Sequence, residues 1–480
     1  MRSLAVPIIA GLVAAGVYTA APLAVWAAAA AAIVVMLGRR NLPADERRML
    51  TILLAAAIAA RVVFVLAVFM VNLPLHGDQW LGELGGDGAY GLSRGLRARD
   101  LLLGVPTNKY DSFVVTDIYG ANAYNTFLTV LQTMLGPVPY SIRLLNGVLF
   151  VAGALTLFRL MRSAYGRLPA FAALAAVLFL PSFFVWSVSL LKEPLYFACT
   201  AMFLAAAAQS LGTAHMPRRI VAAALALAAL ALMEGVRHKT FAIGLIGWAT
   251  GAVLVVVWSR PRRYLPVAIA GGVIAIALLT APSVQRRAIA ALEESAKIHA
   301  GHVFTLGHSY KLLDEGFYYH RQDPDSSTLT LTAEEAARYV LRALASFVAT
   351  PLPWQAASAR ELVYVPEQVF WYLLVLLLPV GVAAGWRRDA AATAVLVGYL
   401  IPTSLIVALT NGNVGTLVRL RGMVMIIVVW VSALGGCVVL DALAARRADD
   451  FTGRPQHPQN ALASLVRRAL LEKIRPESAS

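Results

Sequence analysis

The stretch LTILLAAAIAARVVFVLAVFMVNLP, residues 50–74, decides the fold class of this chain. Its 25 residues carry one charged side chain, that of Arg61. An α-helix needs about 20 mostly apolar residues to cross the hydrocarbon core of a bilayer, so the stretch predicts a transmembrane helix. A membrane β-barrel is excluded, because its strands alternate apolar and polar residues instead of forming solid apolar blocks.

Similar apolar runs recur along most of the 480 residues. Hydrophobic residues make up 59% of the chain and charged residues 14%, and the mean hydropathy is +0.70. A soluble protein carries about 25% charged residues, nearly twice this share. The composition therefore predicts an all-α polytopic membrane protein.

The net charge of +15 does not indicate nucleic-acid binding, because the arginines cluster in short loops between apolar runs. Basic loops of this kind mark the cytoplasmic side of a membrane protein. Both cysteines, Cys199 and Cys437, lie within apolar segments, so the sequence offers no disulfide framework. The N-terminal apolar run extends from Leu4 to about Leu37, too far for a signal-peptide core, and we predict that it is retained.

We predict about twelve transmembrane helices, with both termini in the cytoplasm. Each predicted return to the cytoplasmic side meets a loop rich in arginine, as the positive-inside rule requires. A break at Ala21-Pro22 divides the first apolar run into a hairpin of two short helices. The predicted spans are 4–37 (two helices), 50–74, 139–161, 168–187, 194–212, 220–234, 240–258, 264–281, 366–385, 390–410 and 417–440.

The spans divide the chain into five regions. These are an N-terminal membrane hairpin and cytoplasmic loop (1–49), a transmembrane core (50–282) with the first outer loop (75–138), a large outer-face segment (283–365), C-terminal transmembrane helices (366–445) and a cytoplasmic tail (446–480). Thr332 and Glu335 have the spacing of a capping box, which predicts an amphipathic helix in the outer segment, lying on the membrane or on other loops. Residues 460–474 are amphipathic and basic, which is typical of an inner-leaflet helix or of disorder.

Charged residues at the ends of the spans gather on the predicted outer side. Such residues are costly in a bilayer and tend to face a cavity that has a function. They are Asp87, Lys192, Glu193, Glu234, Arg237, His238, Lys239, Arg419 and Arg421. The last two stand out, because they lie at the outer end of a span, against the positive-inside trend.

This set holds the two kinds of group that sugar transfer from a lipid phosphate needs. Asp87, between two glycines, can take a proton from an acceptor hydroxyl as that hydroxyl attacks the anomeric carbon. Glu193 would orient the acceptor or bind a metal ion. Cationic side chains can hold the phosphate and stabilise its charge as it leaves, a role that we assign to Lys192, Arg237, His238, Lys239, Arg419 and Arg421.

Each of these residues also has a purely structural interpretation. Asp87 would cap a helix or make a turn. Lys192 and Glu193 would form a solvated pair that opens a span. Arg237 and Lys239 would be ordinary contacts to lipid headgroups.

The sequence assigns no cofactor. The histidines of the outer segment lack a metal-ligand spacing; they are His302, His308 and His320. A divalent metal ion, if one binds, would take Asp87 and Glu193 as ligands.

Four short motifs stand out: residues 86–90 (GDGAY), 143–147 (RLLNG), 180–194 (LPSFFVWSVSLLKEP) and 412–421 (GNVGTLVRLR). The first three resemble the GT-C superfamily of polytopic glycosyltransferases, most closely its bacterial branch related to protein O-mannosyltransferases and aminoarabinose transferases. The fourth resembles a C-terminal motif of bacterial membrane enzymes that build cell-surface polysaccharides. The resemblance covers residues 75–215 well and the rest of the chain loosely.

The resemblance implies a GT-C-like fold in the bacterial cytoplasmic membrane, with the active site on the outer face. It implies that a sugar passes from a polyprenyl-phosphate donor to a glycan, lipid or protein acceptor. In such enzymes an acidic residue of the first outer loop is the catalytic base and corresponds to Asp87, and a second acidic residue in the next outer turn corresponds to Glu193. That second position is commonly Asp in the family, and two predicted spans precede the usual first one.

Two other functions stay open from the sequence. A polysaccharide polymerase or O-antigen ligase also has about a dozen spans, a large outer loop and outward-facing arginines, but it uses oligosaccharides on lipid pyrophosphate. A transporter of lipid-linked glycans needs a route through both faces, whereas the polar residues cluster on one side and no inverted repeat of interrupted helices is evident. Arg61, inside a span, has no place in any of these pictures.

Overall fold

The structure is a computed structural model that describes residues 11–76, 86–117, 122–136, 139–259, 261–305, 308–320, 330–355, 362 and 364–451, apart from residues 14 and 20. Some side chains within these ranges, including that of Asp87, also lie outside the description. The described chain is helical and contains no strand, and one isolated bridge joins Ser309 to Asn413. The tail segment 460–474 lies outside the described residues.

The described ranges fold into helices joined mostly by short connections, with one 3₁₀ turn at Pro353–Gln355. The α-helices are α1 (Pro22–Arg39), α2 (Ala44–His76), α3 (Gly86–Leu102), α4 (Lys109–Thr116), α5 (Ala123–Leu135), α6 (Pro139–Tyr165), α7 (Arg167–Phe179), α8 (Pro181–Ser187), α9 (Glu193–Gly212), α10 (Met216–Val236), α11 (Thr240–Ser259), α12 (Pro261–Thr280), α13 (Pro282–Val303), α14 (Glu315–His320), α15 (Ala333–Ala349), α16 (Val365–Arg388), α17 (Ala390–Thr410) and α18 (Val414–Phe451).

Within the described residues, nine helices are long and apolar enough to cross a membrane, and the bent pair α7 and α8 makes a tenth crossing segment if it is counted as one. The nine are α1, α2, α6, α9, α10, α11, α16, α17 and α18. These ten segments coincide with ten of the predicted spans. The chain is therefore a multi-pass, all-helical membrane protein.

Two of the predicted spans are not among the ten. The first half of the N-terminal hairpin falls largely on residues outside the description, although α1 begins at Pro22, at the predicted break. The predicted span 264–281 is helix α12, several of whose side chains lie outside the description. The total of twelve spans therefore stays a prediction.

The two outer regions contain helices of their own. Residues 75–138, which the sequence predicts as a loop, hold α3, α4 and α5. Helix α3 approaches α5 through glycines, since a Cβ atom on Gly95 would lie 2.7 Å from Nε2 of Gln132. In the second region the capping box of Thr332 and Glu335 is confirmed, and the helix that it opens ends before Pro351.

Small residues let the spans pack backbone to backbone. A Cβ atom on Gly381 of α16 would lie 2.1 Å from the carbonyl oxygen of Val431 in α18. A Cβ atom on Gly398 of α17 would lie 2.3 Å from the carbonyl oxygen of Gly247 in α11. Close approach at glycine is a common way for helices to associate in lipid, where apolar side chains gain little by leaving the solvent.

The span predicted as one helix at 168–187 is broken. Helix α7 ends at Phe179, helix α8 begins at Pro181, and the two axes meet at 62°. Leu180 between them is extended, because proline has no N–H for the helix ladder and disfavours helical geometry in the residue before it. Helix α8 then ends at Ser187, and an irregular turn of residues 188–192 leads into α9.

Arg61 supports this break from the neighbouring span. Its side chain is 2% exposed, and its Nη2 donates to the carbonyl oxygen of Leu178, near the end of α7, at 3.1 Å. Its Nε donates to Oγ of Ser187, at the end of α8, at 2.8 Å. The guanidinium also lies over the rings of Phe150 and Phe184. Arg61, to which the sequence analysis assigned no role, therefore supplies hydrogen bonds to polar groups at the ends of α7 and α8.

We expect Arg61→Leu to destabilise the protein by about 3 kcal/mol, because it leaves a buried carbonyl and a buried hydroxyl without their donor. The measurement is the thermal unfolding midpoint of the detergent-solubilised protein. Arg159→Leu is the matched control, since Arg159 also donates to two carbonyl oxygens, of Leu37 and Arg40, but at an exposed position. Equal losses for the two variants would contradict the role given to Arg61.

Candidate functional site

The turn of residues 188–192 is held by the motif RLLNG on α6. Nδ2 of Asn146 donates to the carbonyl oxygen of Ser189 at 2.7 Å and to that of Leu191 at 3.3 Å. Nη1 of Arg143 donates to the carbonyl oxygen of Val188 at 3.3 Å. Arg143 and Asn146 are both almost fully buried. Being three residues apart, they lie on one face of α6 and together hold the turn in place.

The start of α3 lies directly on this turn. A Cβ atom on Gly88 would lie 3.1 Å from Cβ of Leu190 and 3.4 Å from its carbonyl carbon. A Cβ atom at these distances would be tighter than ordinary packing, so Leu190 would have to move by a few tenths of an ångström to admit it. Asp87 precedes Gly88, so its backbone lies beside the turn, while its side chain lies outside the described residues. Three of the motifs quoted above thus meet at one place.

Glu193 is the first residue of α9 and lies between two arginines. Its side chain is 10% exposed, and its Oε1 is 3.6 Å from Nη2 of Arg237 and 3.8 Å from Nε of Arg419. Both distances exceed hydrogen-bond length, so these arginine nitrogens lie near Oε1 of Glu193 but are not hydrogen-bonded to it. The other oxygen, Oε2, is buried and has no hydrogen-bond partner in the described part of the chain.

A narrow apolar slot extends from this cluster along the bundle. Its cavity volume is about 30 Å³, and it lies between α6, α8, α9 and α18. Glu193 and Arg419 are its charged lining residues, and it reaches Leu204, about 16 Å further along α9 at 1.5 Å per residue. The remaining wall is apolar, including Leu157, Phe183, Phe197, Met423 and Ile427.

The other predicted phosphate ligands differ in their surroundings. Lys192 is half-buried next to Glu193. His238 and Lys239 are exposed in the turn between α10 and α11. Glu234 closes that turn, because its carboxylate accepts from the backbone N–H of Lys239 at 2.9 Å and from that of Phe241 at 2.8 Å.

Arg421 belongs to a different part of the structure. It is 4% exposed, and its Nη1 donates to the carbonyl oxygens of Phe347 and Thr350, at the end of α15. Its Nη2 donates to Oε1 of Gln368 at 2.5 Å, and its guanidinium lies 5.0 Å from the ring centroid of Trp371. The structure therefore brings Arg237 and Arg419 close to Glu193, whereas Arg421 is hydrogen-bonded to the end of α15.

The turn between α17 and α18 anchors the outer segment. The N–H of Tyr310 donates to the carbonyl oxygen of Gly412 at 2.9 Å, and the N–H of Val414 donates to that of His308 at 2.8 Å. A Cβ atom on Gly412 would lie 2.5 Å from the carbonyl oxygen of His299, so this position requires glycine. The start of the motif at 412–421 is thus joined to residues 308–310 by two backbone hydrogen bonds.

His299 is a buried residue that the sequence analysis missed. It is fully buried on α13, its Nδ1 is 2.7 Å from the carbonyl oxygen of Asn411, and three tyrosine rings surround it. Because the partner is a carbonyl, Nδ1 carries the proton. Burial lowers the pKa of His299 to about 4, so the ring is neutral at physiological pH. The apolar spacing of α13 gave no signal for it, since a histidine in an amphipathic helix usually faces water.

The described residues contain no group of three or more histidine, cysteine, aspartate or glutamate side chains placed to hold a metal ion. His302, one of the histidines considered for zinc, has its Nδ1 2.8 Å from the carbonyl oxygen of Thr410. His308 is exposed, and the side chain of His320 lies outside the description.

Comparison of the chain with models of protein families, with curated proteins and with solved structures gives no match. The inference about function therefore rests on the residues around Glu193. They combine a buried carboxylate, two nearby guanidinium groups and an apolar slot at one fixed turn.

We expect acid to loosen the outer segment. The pKa of His299 is lower in the folded protein than its ordinary value of about 6.5, so the unfolded segment takes up a proton that the docked one excludes. The stabilisation is complete above about pH 6.5 and is lost as the pH falls towards 4, by about 1.4 kcal/mol per pH unit.

The measurement is hydrogen exchange of residues 296–303, compared between about pH 7.5 and about pH 5 after correction for intrinsic exchange rates. His299→Gln should remove the pH dependence, and the exposed His238→Gln should leave it unchanged. Equal pH dependence in the wild type and in His299→Gln would show that another group is responsible.

Proposed function

We propose that this protein is a membrane glycosyltransferase that moves a sugar from a polyprenyl-phosphate donor to a glycan, lipid or protein acceptor on the outer face of the bacterial cytoplasmic membrane. One observation carries the proposal. A carboxylate with two guanidinium groups beside it lies at an apolar slot, on a turn that also contacts the segment of Asp87. A lipid-linked phosphate has the matching parts, an anionic group on an apolar chain.

Asp87 is the general base of the proposed reaction. The acceptor hydroxyl attacks the anomeric carbon of the sugar, and its proton passes to the carboxylate as the new bond forms. The bond between the anomeric carbon and the phosphate oxygen breaks, and its electron pair leaves with the lipid phosphate. The contact of Gly88 with Leu190 supports this assignment, because it places the backbone of Asp87 next to the turn that leads into Glu193.

Arg237 and Arg419 hold the leaving phosphate. They come from different elements and approach Glu193 from outside hydrogen-bond range, so a phosphate can accept from their forks without first breaking a bidentate pair with that carboxylate. Their charges also offset that of the carboxylate in the absence of substrate. Lys192, at the same turn, adds a further positive charge. Arg421, His238 and Lys239 have no support from these contacts.

Glu193 orients the acceptor. The buried oxygen Oε2, which lacks a hydrogen-bond partner among the described residues, would accept from a substrate hydroxyl. The slot beneath it would take the first part of the prenyl chain only after its apolar lining side chains move apart, because its volume of about 30 Å³ is that of a few water molecules.

We expect Asp87→Asn and Glu193→Gln to reduce transfer at least about 10²-fold, the usual contribution of a general base or of a substrate-orienting carboxylate. The assay supplies membranes containing the full-length protein with radiolabelled sugar on a short polyprenyl phosphate. Asp111→Asn is the control, since this carboxylate lies in the same outer region but pairs with Arg97 at 2.8 Å.

Full transfer by Asp87→Asn would overturn the proposal. Transfer from an oligosaccharide on lipid pyrophosphate, with none from the monophosphate, would favour the polymerase or ligase class instead. Uptake of the labelled lipid without transfer of its sugar would favour a transporter.

The two arginines of α18 should separate in their effects. We expect Arg419→Gln to lower transfer about 10²-fold with little change in unfolding midpoint, because its partner is the half-open charge cluster. Arg421→Gln should lower the unfolding midpoint instead, since it removes donors from buried carbonyl groups. Transfer rate and thermal midpoint are measured on the same preparations, and a swap of the two phenotypes would refute the assignment.

A further inference from the structure

The C-terminal end of α15 has its backbone carbonyl groups satisfied by side chains. The last carbonyls of a helix have no partner within the helix, and on a protein surface they usually bind water. Here the carbonyl oxygens of residues 347–350 all accept hydrogen bonds from side chains of α16 and α18. The donors are Gln368, Trp371, Tyr372 and Arg421.

These bonds come from two different helices. Nε1 of Trp371 donates to the carbonyl oxygen of Val348 at 3.0 Å, and Oη of Tyr372 donates to that of Ala349 at 2.6 Å. Nη1 of Arg421 donates to that of Thr350 at 2.7 Å. A helix end with a protein donor for each free carbonyl is what a bilayer requires, because the hydrocarbon supplies no water.

The donors lie well inside the two spans that carry them. Trp371 is six residues after the first residue of α16, and Arg421 is seven residues after the first residue of α18. At 1.5 Å per residue, both positions are about 10 Å along their helices from the outer ends. Two independent spans therefore hold the end of α15 at about the same distance from their own first residues.

The uncovered side of this helix end is apolar. Leu341, Leu344 and Val348 recur at helical spacing and are 68%, 40% and 36% exposed. Trp354, in the 3₁₀ turn that follows, is 79% exposed. The first half of the helix differs, because its exposed residues Glu334 and Arg338 form an ion pair. Arg342, whose side chain is 51% exposed and lies 3.4 Å from Oδ1 of Asp314, is the last charged residue of the helix, and the exposed residues after it are apolar.

Helix α16, to which this end is bound, has an exposed apolar side of the same kind. Val369, Leu373 and Leu376 recur at helical spacing and are all exposed on a helix long enough to span the membrane. On a spanning helix such side chains face lipid, where their exposure costs nothing. The end of α15 is bound to this helix through Gln368, Trp371 and Tyr372.

We propose that residues 344–350 of α15, together with Trp354, insert into the acyl-chain region of the bilayer leaflet next to α16, while the part of the helix up to Arg342 stays in the aqueous headgroup zone. The partner of this surface is lipid. Through it, the end of α15 attaches the outer segment to the membrane. Arg421, which binds the end of α15, is two residues from Arg419, which lies beside Glu193. The lipid contact and the charge cluster therefore depend on the same part of α18.

Spin labels on the full-length protein in vesicles of phosphatidylethanolamine and phosphatidylglycerol test this insertion. Single cysteines replace Leu344, Val348 or Trp354 in a background with Cys199→Ala and Cys437→Ala. Positions 334 and 338 are the aqueous controls, and position 376 is the lipid control. Collision rates are measured with oxygen, which concentrates in lipid, and with a neutral nickel chelate, which stays in water.

We expect the labels at 344, 348 and 354 to match position 376, with oxygen collisions several-fold above nickel collisions, and the labels at 334 and 338 to show the reverse. Nickel access at 348 and 354 equal to that at 334 would overturn the proposal, because water would then cover the surface. Low access to both reagents would also overturn it, because protein would then cover the surface.

A measurement on unlabelled protein guards against misplaced labels. Trp354→Phe is compared with the wild type in vesicles containing lipids brominated on the acyl chains, which quench tryptophan fluorescence at contact. The wild type should lose more fluorescence than the variant, by the contribution of one exposed tryptophan. Equal fractional quenching of the two proteins would overturn the proposal independently of any cysteine substitution.

Discussion

A chain that leaves helical geometry inside a bilayer must find a donor for each carbonyl group that it exposes. This requirement governs the centre of the structure. The break at Leu180 and the turn at 188–192 exist because Arg61, Arg143 and Asn146 supply those donors from α2 and α6. With its carbonyls occupied, the turn can present Lys192 and Glu193 in one fixed arrangement, on which the proposed chemistry depends.

The same requirement explains how the outer segment is attached. Arg421 and its neighbours satisfy the end of α15, while Gly412 and His299 join the segment to the turn before α18. The two attachments lie on either side of the first turns of α18, the helix that also carries Arg419 towards Glu193. A single spanning helix thus positions both the charge cluster and the outer segment.

Ten of the twelve predicted spans coincide with segments long and apolar enough to cross a membrane, because transfer into hydrocarbon acts on each helix separately. The break at Leu180 was out of reach, since the run 168–187 is apolar throughout and a proline in it fits a mild kink as well as a break. Asp87, Glu193 and the arginines were found by their sidedness, but sidedness could not separate Arg419 from Arg421. Helical geometry separates them, because residues two apart point about 200° away from each other. His299 left no trace in the pattern, since its burial arises from contacts between segments more than a hundred residues apart.

Arg61 has an electrical consequence. The partners described for its side chain are carbonyl oxygens, a hydroxyl and two aromatic rings, none of which carries a compensating charge. It lies 17 residues into a span of 28, so a voltage across the membrane falls partly on either side of it. A potential of about 100 mV acts on a unit charge with up to about 2.3 kcal/mol over the full thickness. Because the guanidinium is hydrogen-bonded to Leu178 and Ser187, a membrane voltage that acts on its charge would also act on the interrupted helix before the turn that leads to Glu193.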